Sequence, residues 1–311
     1  MTALTQTQKK AQSAAFNPWI ALLIGICAGT FAAPFIKLTQ QGGLPSPVIA
    51  FGRMTLAALI LTPLVLSRYR AELARLTQRD LVMAIFAGLL LQTHFQLLIF
   101  ALERTSTLIV LVIVNTGPLW VALLERVFLK ERINRFVWVG MAITIVGSLY
   151  IALSANQASV TNDNSVMIGA ILSILAAMAG AGYMTVGRSV RKKVSLFPYV
   201  WILFGAGGLI GLVGSVMAGV PIAGHPLNGY FWLVMLTLIP QLLGHSGFNF
   251  ALGYFTATLT SLSSQLLTVT ASVVAFFLFA EVPTLSDIIG SAIIGLGVLL
   301  AIIYRTRSTA Q

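Results

Sequence analysis

The chain has 311 residues, of which 58% are hydrophobic and only 9% are charged, and its mean hydropathy is +0.93. Soluble domains carry about 25% charged residues, so this composition excludes an ordinary soluble protein and indicates an integral membrane protein. The net charge of +11 comes from Lys and Arg residues beside the ends of apolar runs. These residues form no basic stripe interleaved with aromatic residues, so no nucleic-acid partner is predicted.

The apolar runs predict an all-α integral membrane protein with ten transmembrane helices, because each run suits a bilayer-spanning helix and none alternates like a barrel strand. The predicted spans are 18–38, 47–66, 81–101, 106–129, 136–154, 166–187, 197–219, 230–253, 257–280 and 285–304. A polar tail (1–17) precedes them, a linker (155–165) separates residues 18–154 from residues 166–304, and a tail (305–311) follows. A cleaved signal peptide is the alternative for the first span, although its apolar stretch exceeds a usual signal core.

The second half of the chain repeats the first at a constant offset. Three pairs of residues, each 150 positions apart, carry the repeat: Glu131 and Glu281, Gly140 and Gly290, and Gly147 and Gly297. Because five spans per repeat is an odd number, the second repeat enters the membrane in the opposite orientation. This pattern predicts two inverted five-helix repeats, the arrangement from which alternating-access transporters are built.

Basic residues predict the orientation of the spans. If the N-terminus is cytoplasmic, all but Lys37, Arg53 and Arg104 of the 19 Lys and Arg residues lie on the cytoplasmic side. This asymmetry follows the positive-inside rule, and it predicts that both termini are cytoplasmic and that the linker is external.

Polar side chains inside the predicted spans mark a candidate substrate pathway. Most of them share single helix faces, at spacings of three, four or seven residues. The candidates for the wall of a cavity, including two aromatic residues deep in their spans, are Gln92, His94, Gln96, Asn115, Trp120, Tyr183, Gln241, His245, Asn249, Gln265 and Thr268. The alternative is that they bond helices to one another, as polar residues in membranes commonly do.

Few charged or helix-breaking residues lie inside the predicted spans. Pro34 and Pro118 are expected to kink their helices, either as gating hinges or as packing features. Arg53 is expected either to extend outward to the membrane surface or to contact a substrate carboxylate. Glu125 and Arg126 are expected to pair locally near the cytoplasmic end. Because no carboxylate lies in the middle of a predicted span, we expect a cavity that is uncharged at its centre and no carboxylate proton relay.

The sequence predicts neither a metal site nor a cofactor. Its one cysteine, Cys27, excludes an internal disulfide and a thiol cluster, and its three histidines match no metal-binding spacing. A membrane-embedded enzyme is disfavoured because the chain has no His-Glu-x-x-His motif and no Ser-His pair in a recognisable motif. A receptor or scaffold would have no use for an inverted repeat.

The chain resembles the ten-helix EamA-type branch of the drug/metabolite transporter superfamily over about residues 18–304. The resemblance rests on the ends of the two halves, which read Leu129-Lys130-Glu131-Arg132 … Gly140 … Gly147 and Phe279-Ala280-Glu281 … Gly290 … Gly297. One departure is that Gln265-Leu-Leu-Thr268 stands where the first half has Asn115-Thr-Gly-Pro118. The halves are therefore chemically different, and gating need not be symmetric.

Within this branch the chain is most similar to bacterial exporters of amino acids, including aromatic amino acids. The resemblance implies an exporter in the plasma (inner) membrane, with a central cavity between the two halves and a small-molecule substrate. Neutral or aromatic amino acids are the expected substrates. The alternative is a multidrug or cationic-toxicant exporter, which needs only an apolar, aromatic cavity. Transport down the solute's own gradient and proton coupling through His94 or His245 both stay open.

Overall fold

The computed structural model describes residues 16–105, 107–154, 163–270, 274 and 284–308. Within these ranges every regular element is a helix. The first half contains α1 (Pro18–Gly29), α2 (Ala32–Gln41), α3 (Ser46–Arg68), α4 (Arg70–Leu73), α5 (Gln78–Leu102), α6 (Thr107–Val114), α7 (Gly117–Phe128) and α8 (Arg135–Ser154). The second half contains α9 (Asp163–Arg191), α10 (Leu196–Met217), α11 (Leu227–Leu236), a π-helical segment (Thr237–His245), α12 (Ser246–Ala251), α13 (Ala257–Ser264) and α14 (Leu285–Ser308). Residues 266–270 are also helical.

Several helical stretches among the described residues suit a bilayer. Six are long and apolar enough to cross one: Pro18–Gln41, Ser46–Arg68, Gln78–Leu102, Ser165–Arg191, Leu196–Met217 and Leu227–Ala251. Two shorter apolar helices, Arg135–Ile151 and Ile288–Tyr304, accompany them. Large apolar side chains such as Leu59 and Leu153 stay exposed on these helices, as expected where lipid replaces water. The predicted multi-pass helical architecture is confirmed, and the count of ten spans stays a prediction.

The helix bounds differ from the predicted spans in three places. The fourth predicted span (106–129) is interrupted at Asn115 and Thr116, between α6 and α7. Helix α9 begins at Asp163, inside the predicted linker, and α14 continues to Ser308, past the predicted end at residue 304. Outside the described residues lie most of the N-terminal tail, most of the linker, the end of the ninth predicted span and Glu281.

Helices of the first half pack against helices of the second half. The pairs include α3 with α10, α5 with α9 and α10, α2 with α11, α7 with α9 and α13, α8 with α14, and α1 with the π-helical segment and α12. The residues that meet show that α3 and α10 are antiparallel. Trp201 near the start of α10 donates from Nε1 to Thr62 Oγ1 near the end of α3, at 2.9 Å. Further along α10, a methyl group placed on Gly211 would touch Phe51, near the start of α3.

Glycines bring α8 and α14 into backbone contact. A methyl group placed on Gly297 would lie 2.6 Å from the main-chain oxygen of Gly140, and one placed on Gly147 would lie 2.9 Å from that of Gly290. Small residues allow such close approach of helices in membranes. The equivalent glycines of the two repeats therefore meet crosswise, so α8 and α14 run in opposite directions.

The largest buried apolar cluster lies between α3, α5, α9 and α10. Met54, Leu91, Tyr199, Leu203 and Phe204 are almost completely inaccessible within it. Side chains packed this densely hold the facing helices in one register. Because Met54 directly follows Arg53, the same packing sets the position of that arginine.

The two prolines singled out from the sequence begin new helices. Pro34 lies in the first turn of α2, after a break at Thr30 and Phe31. Pro118 is the second residue of α7, directly after the break between α6 and α7. Proline is tolerated in a first turn because the N–H that it lacks would have no partner inside the helix. The expected kinks thus take the form of helix breaks, and a gating role for either proline stays a prediction.

Candidate functional site

Arg53 is buried between the two halves of the chain. It lies two turns into α3, and only 2% of its surface is exposed. Its Nε donates a hydrogen bond of 2.6 Å to Gln241 Oε1 in the π-helical segment. Its guanidinium carbon lies 4.5 Å from the centre of the Phe95 ring of α5, in a cation–π arrangement. The expectation that Arg53 extends outward to the membrane surface is therefore wrong, because the side chain turns inward.

Two buried donors at this position find no acceptor among the described residues. Arg53 Nη2 and Gln241 Nε2 are shielded from solvent and make no hydrogen bond within this part of the chain. The ion pairs within the described part of the chain are Lys192–Glu131 and Lys193–Asp80, and neither involves Arg53. An unpaired buried charge costs several kcal/mol, so buried charges in membrane proteins usually serve function. A cation and an amide N–H side by side form a suitable site for an anion with two oxygens.

The π-helical segment places Gln241 and His245 at this site. Pro240 lies inside it and has no N–H, so the regular α-helical hydrogen bonding cannot run through this point. A π turn holds more residues than an α turn, and such turns often occur at functional sites. The sequence did not predict this segment, because hydropathy carries no signal that distinguishes a π turn from an α turn.

Aromatic rings and histidines complete the surroundings of Arg53. The His245 ring lies edge-on to Phe95, with the ring centres 5.3 Å apart, and His245 Nδ1 makes no hydrogen bond to any described residue. His94 also contacts Phe95, at 5.5 Å between ring centres. His94 Nδ1 is bonded to the main-chain oxygen of Ala176 in α9, at 2.7 Å. His94 therefore joins α5 to α9 through Nδ1, whereas Nδ1 of His245 has no such bond.

Two amides of α5 add further unpaired polar atoms. Gln92 Oε1 and Gln96 Nε2 are shielded from solvent and have no hydrogen-bond partner. They lie one helical turn apart on the face that also carries Phe95. More than 90% of buried polar groups are normally paired. Arg53 and His245 both contact the ring of Phe95. We refer to Arg53, Gln92, Gln96, Gln241 and His245, which are connected through this ring and this face of α5, together as the polar cluster.

Asn115 and Gln265 form a second polar contact between the halves. Gln265 Nε2 donates to the main-chain oxygen of Asn115, at 2.9 Å. That oxygen is available because the backbone at the break forms a tighter turn, with Leu119 N donating to Thr116 O. These two residues, which the sequence places at equivalent positions of the repeats, therefore meet. The Gln265 amide bonds one helix to another, which is the alternative that the sequence left open for it.

The remaining four candidates from the sequence lie in different helices and make separate contacts. Trp120 donates from Nε1 to Thr116 Oγ1 one turn earlier, at 3.2 Å. Thr268 N donates to the main-chain oxygen of Gln265, at 3.1 Å. Tyr183 is buried in the apolar cluster between α3, α5, α9 and α10. Asn249 is buried and donates from Nδ2 to the main-chain oxygen of His245, at 2.7 Å. Their roles in substrate binding stay predictions.

Glu125 is a buried carboxylate whose partners the sequence did not reveal. The expected local pair with Arg126 is wrong, because both carboxylate oxygens of Glu125 accept hydrogen bonds from α13. The signal in the sequence is a lone acidic residue after two leucines in an apolar helix, and it says nothing about which helix lies opposite. Among the described residues, no three His, Cys, Asp or Glu side chains lie together in a way that could hold a metal.

The apolar helices enclose the polar cluster and the buried cation of Arg53. This arrangement is typical of a polytopic membrane protein with an internal polar site, as carriers have. Residues 17–153 and residues 167–303 each match the EamA-like transporter family, so the chain belongs to that family. It is therefore a transporter and not an enzyme, and the resemblance drawn from the ends of its two halves is confirmed.

Known relatives agree with this assignment. The chain is 24% identical over 274 residues to the uncharacterized transporter YdfC of Bacillus subtilis, covering 88% of this chain and 86% of that protein. It is 25% identical over 291 residues to a protein of Streptantibioticus cattleyicolor named as a probable terminal-alkyne amino-acid exporter, covering 90% and 91% of the two chains. A solved crystal structure with 15% sequence identity superposes at a TM-score of 0.78, covering 93% of this chain and 97% of that one, which shows a shared fold.

Proposed function

We propose that this chain is a secondary transporter that exports small amphipathic metabolites, with neutral and aromatic amino acids as its main substrates. The observation that carries the proposal is the pair of unpaired buried donors, Arg53 Nη2 and Gln241 Nε2. An α-carboxylate has two oxygens and one negative charge, so it would satisfy both donors and neutralise Arg53. The name of the Streptantibioticus relative, an amino-acid exporter, supports the same class of substrate.

The rest of the polar cluster suits the other parts of an amino acid. Gln92 Oε1 is an unpaired acceptor and could receive a hydrogen from an α-ammonium group. The Phe95 ring offers an aromatic surface for an apolar or aromatic side chain. The cationic-toxicant alternative is less favourable, because a cationic solute would meet the uncompensated charge of Arg53. The sequence predicted a cavity that is uncharged at its centre, whereas the cavity proposed here carries the positive charge of Arg53.

Transport by alternating access is supported by how the two halves pack. The helix pairs α3 with α10 and α8 with α14 join equivalent elements of the two matched segments in antiparallel contact. In an inverted repeat, equivalent helices cross the membrane in opposite directions. The proposal includes five helices in each repeat (18–154 and 166–304) and rocking of the halves around the polar cluster between them.

The substrate assignment predicts flux in a defined system. Purified protein in liposomes should transport labelled phenylalanine and tryptophan with saturation, should transport threonine less well, and should transport glutamate poorly because its second carboxylate finds no second cation. Measuring with and without a pH gradient separates facilitated transport from proton coupling, for which His245 is then the candidate carrier. Protein-free liposomes are the control. If none of the four amino acids is transported and a cationic drug is, the amino-acid proposal fails.

The orientation predicts which face of the membrane the linker reaches. With both termini cytoplasmic in the plasma (inner) membrane, residues 155–165 are external. A short epitope tag inserted there should bind antibody on intact cells, whereas a tag appended to the C-terminus should bind only after permeabilisation. The opposite labelling pattern would reverse the orientation.

A further inference from the structure

The turn between α12 and α13 is held on one side by the carboxylate of Glu125. Glu125 is completely buried in α7. Its Oε1 accepts from Ala257 N at 2.6 Å, and its Oε2 accepts from Thr258 N at 2.8 Å and from Thr258 Oγ1 at 2.6 Å. These amides are the first of α13, and the start of a helix carries partial positive charge. Glu125 thus makes three charge-assisted hydrogen bonds to one helix end.

Two arginines of α9 hold the other side of the same turn. Arg188 Nη1 donates to the main-chain oxygen of Leu252 at 2.9 Å, and Arg191 Nε donates to that of Asn249 at 3.0 Å. Arg191 also bonds the main-chain oxygen of Val194. These two arginines are nearly buried. The oxygens of Leu252 and Asn249 belong to the end of α12, where a helix carries partial negative charge, so the charges match the helix ends on both sides of the turn.

The sequence does not repeat these three charges in the other half of the chain. The repeat places Ala275 at the position equivalent to Glu125, and Leu38 and Gln41 at the positions equivalent to Arg188 and Arg191. None of these three side chains carries a charge. The two repeats therefore differ in sequence at these positions.

The geometry points to a latch, formed by Glu125, Arg188 and Arg191, that closes the cytoplasmic end of the transport pathway in the resting protein. This inference rests on the proposed transport function and its orientation, which puts the turn 252–256 on the cytoplasmic side. Loading from the cytoplasm requires α13 to move away from α7, and that movement breaks the bonds of Glu125. While these bonds are intact, the latch holds the empty carrier closed toward the cytoplasm. Glu125, Arg188 and Arg191 thus set the equilibrium between the closed and the open cytoplasmic end without touching the substrate.

A cysteine reporter tests the latch without any substrate. In a chain with Cys27→Ser, a Ser261→Cys substitution places a thiol one turn deeper in α13 than Thr258, at a buried position. A membrane-impermeant maleimide then reports the opening of the cytoplasmic end through its reaction rate in inside-out vesicles. Glu125→Gln should raise this rate about tenfold or more, because one hydrogen bond to a charged group is worth at least that factor.

Two further substitutions control the experiment. Glu103→Gln removes an exposed carboxylate just after the end of α5, outside the latch, so the rate should stay unchanged. Glu125→Asp keeps the charge on a shorter side chain and should raise the rate less than Glu125→Gln does. If Glu125→Gln is too unstable to isolate, Arg191→Gln should raise the rate in the same way.

The latch would be overturned by an unchanged reaction rate in Glu125→Gln, or by an equal rise from both faces of the membrane, which would indicate general loosening. It would also be overturned if the rise came only from the external face. Because the reaction needs no amino acid, these outcomes are independent of the flux experiment. A failure of the proposed substrate would leave the latch result intact, and the reverse also holds.

Discussion

Replacing Arg53 with methionine should abolish amino-acid transport and leave the folded protein at least as stable as the wild type. The substitution removes the cation that is proposed to bind the substrate carboxylate. Truncating one partner of a buried, hydrogen-bonded charge pair costs about 2–5 kcal/mol, so flux at low substrate concentration should fall about 30-fold or more.

The stability part of this prediction follows from the uncompensated charge. Replacing even a paired buried ion by an apolar side chain often stabilises a protein, by about 1–4 kcal/mol, and Arg53 has no ion-pair partner among the described residues. Against this gain stand the cation–π contact with Phe95, worth roughly 2 kcal/mol when desolvated, and the loss of a partner for Gln241 Oε1. The stability gained by removing the charge and the stability lost with these contacts are of similar size. The midpoint of thermal unfolding in detergent should therefore be unchanged or slightly raised.

A substrate analogue and a control substitution test whether the loss of transport is specific to the carboxylate and to Arg53. Phenylalaninamide lacks the carboxylate, so the wild type should transport it far less well than phenylalanine. Arg104→Met removes an exposed arginine and should leave both flux and unfolding unchanged. Wild-type flux of phenylalanine in Arg53→Met would remove the basis of the proposed site. Loss of folding together with flux would instead assign Arg53 a structural role.

Hydropathy and the repeat predicted most of the fold because both depend on local properties of the chain. Span positions follow from apolar runs, and the offset of 150 residues follows from Glu131, Gly140, Gly147 and their equivalents. Pro118 predicted a kink in the fourth span, but not that the helix would break completely at Asn115 and Thr116. A break depends on which neighbouring group satisfies the freed backbone oxygen, and here that group is Gln265, from the other half of the chain.

The sequence singled out the amides and histidines of the candidate site, but it left open whether Arg53 turns toward them or toward the membrane surface. Gln92, Gln96, Gln241 and His245 stood out because they are polar residues on apolar helices. The position of Arg53 depends on the direction of α3 relative to the π-helical segment, 188 residues later in the chain, which no local pattern encodes. The partners of Glu125 were missed for the same reason, since its hydrogen bonds reach a helix 132 residues away.

The contact between α8 and α14 makes Gly297 a position where one methyl group should destabilise the whole protein. A β-carbon on Gly297 would lie 2.6 Å from the main-chain oxygen of Gly140 and 2.9 Å from the main-chain nitrogen of Thr144. The side-chain hydroxyl of Thr144 would lie nearer still and can rotate away, but these two atoms belong to the backbone, so the helices must separate. Overpacking of this kind typically costs about 1–3 kcal/mol. Gly297→Ala should therefore lower the thermal unfolding midpoint in detergent by several degrees and reduce the yield of folded protein.

Gly295 provides the matched control on the same helix, because a β-carbon there meets no atom within 4 Å. Gly295→Ala should leave the unfolding midpoint and the yield unchanged. Gly140→Ala should reproduce the effect of Gly297→Ala from the opposite helix, since its methyl group would lie 2.5 Å from the main-chain oxygen of Gly297. The double variant should lose less than the sum of the two single variants, because the first methyl group already separates the helices. Equal unfolding midpoints for Gly297→Ala and Gly295→Ala would show that α8 and α14 do not approach each other at these glycines.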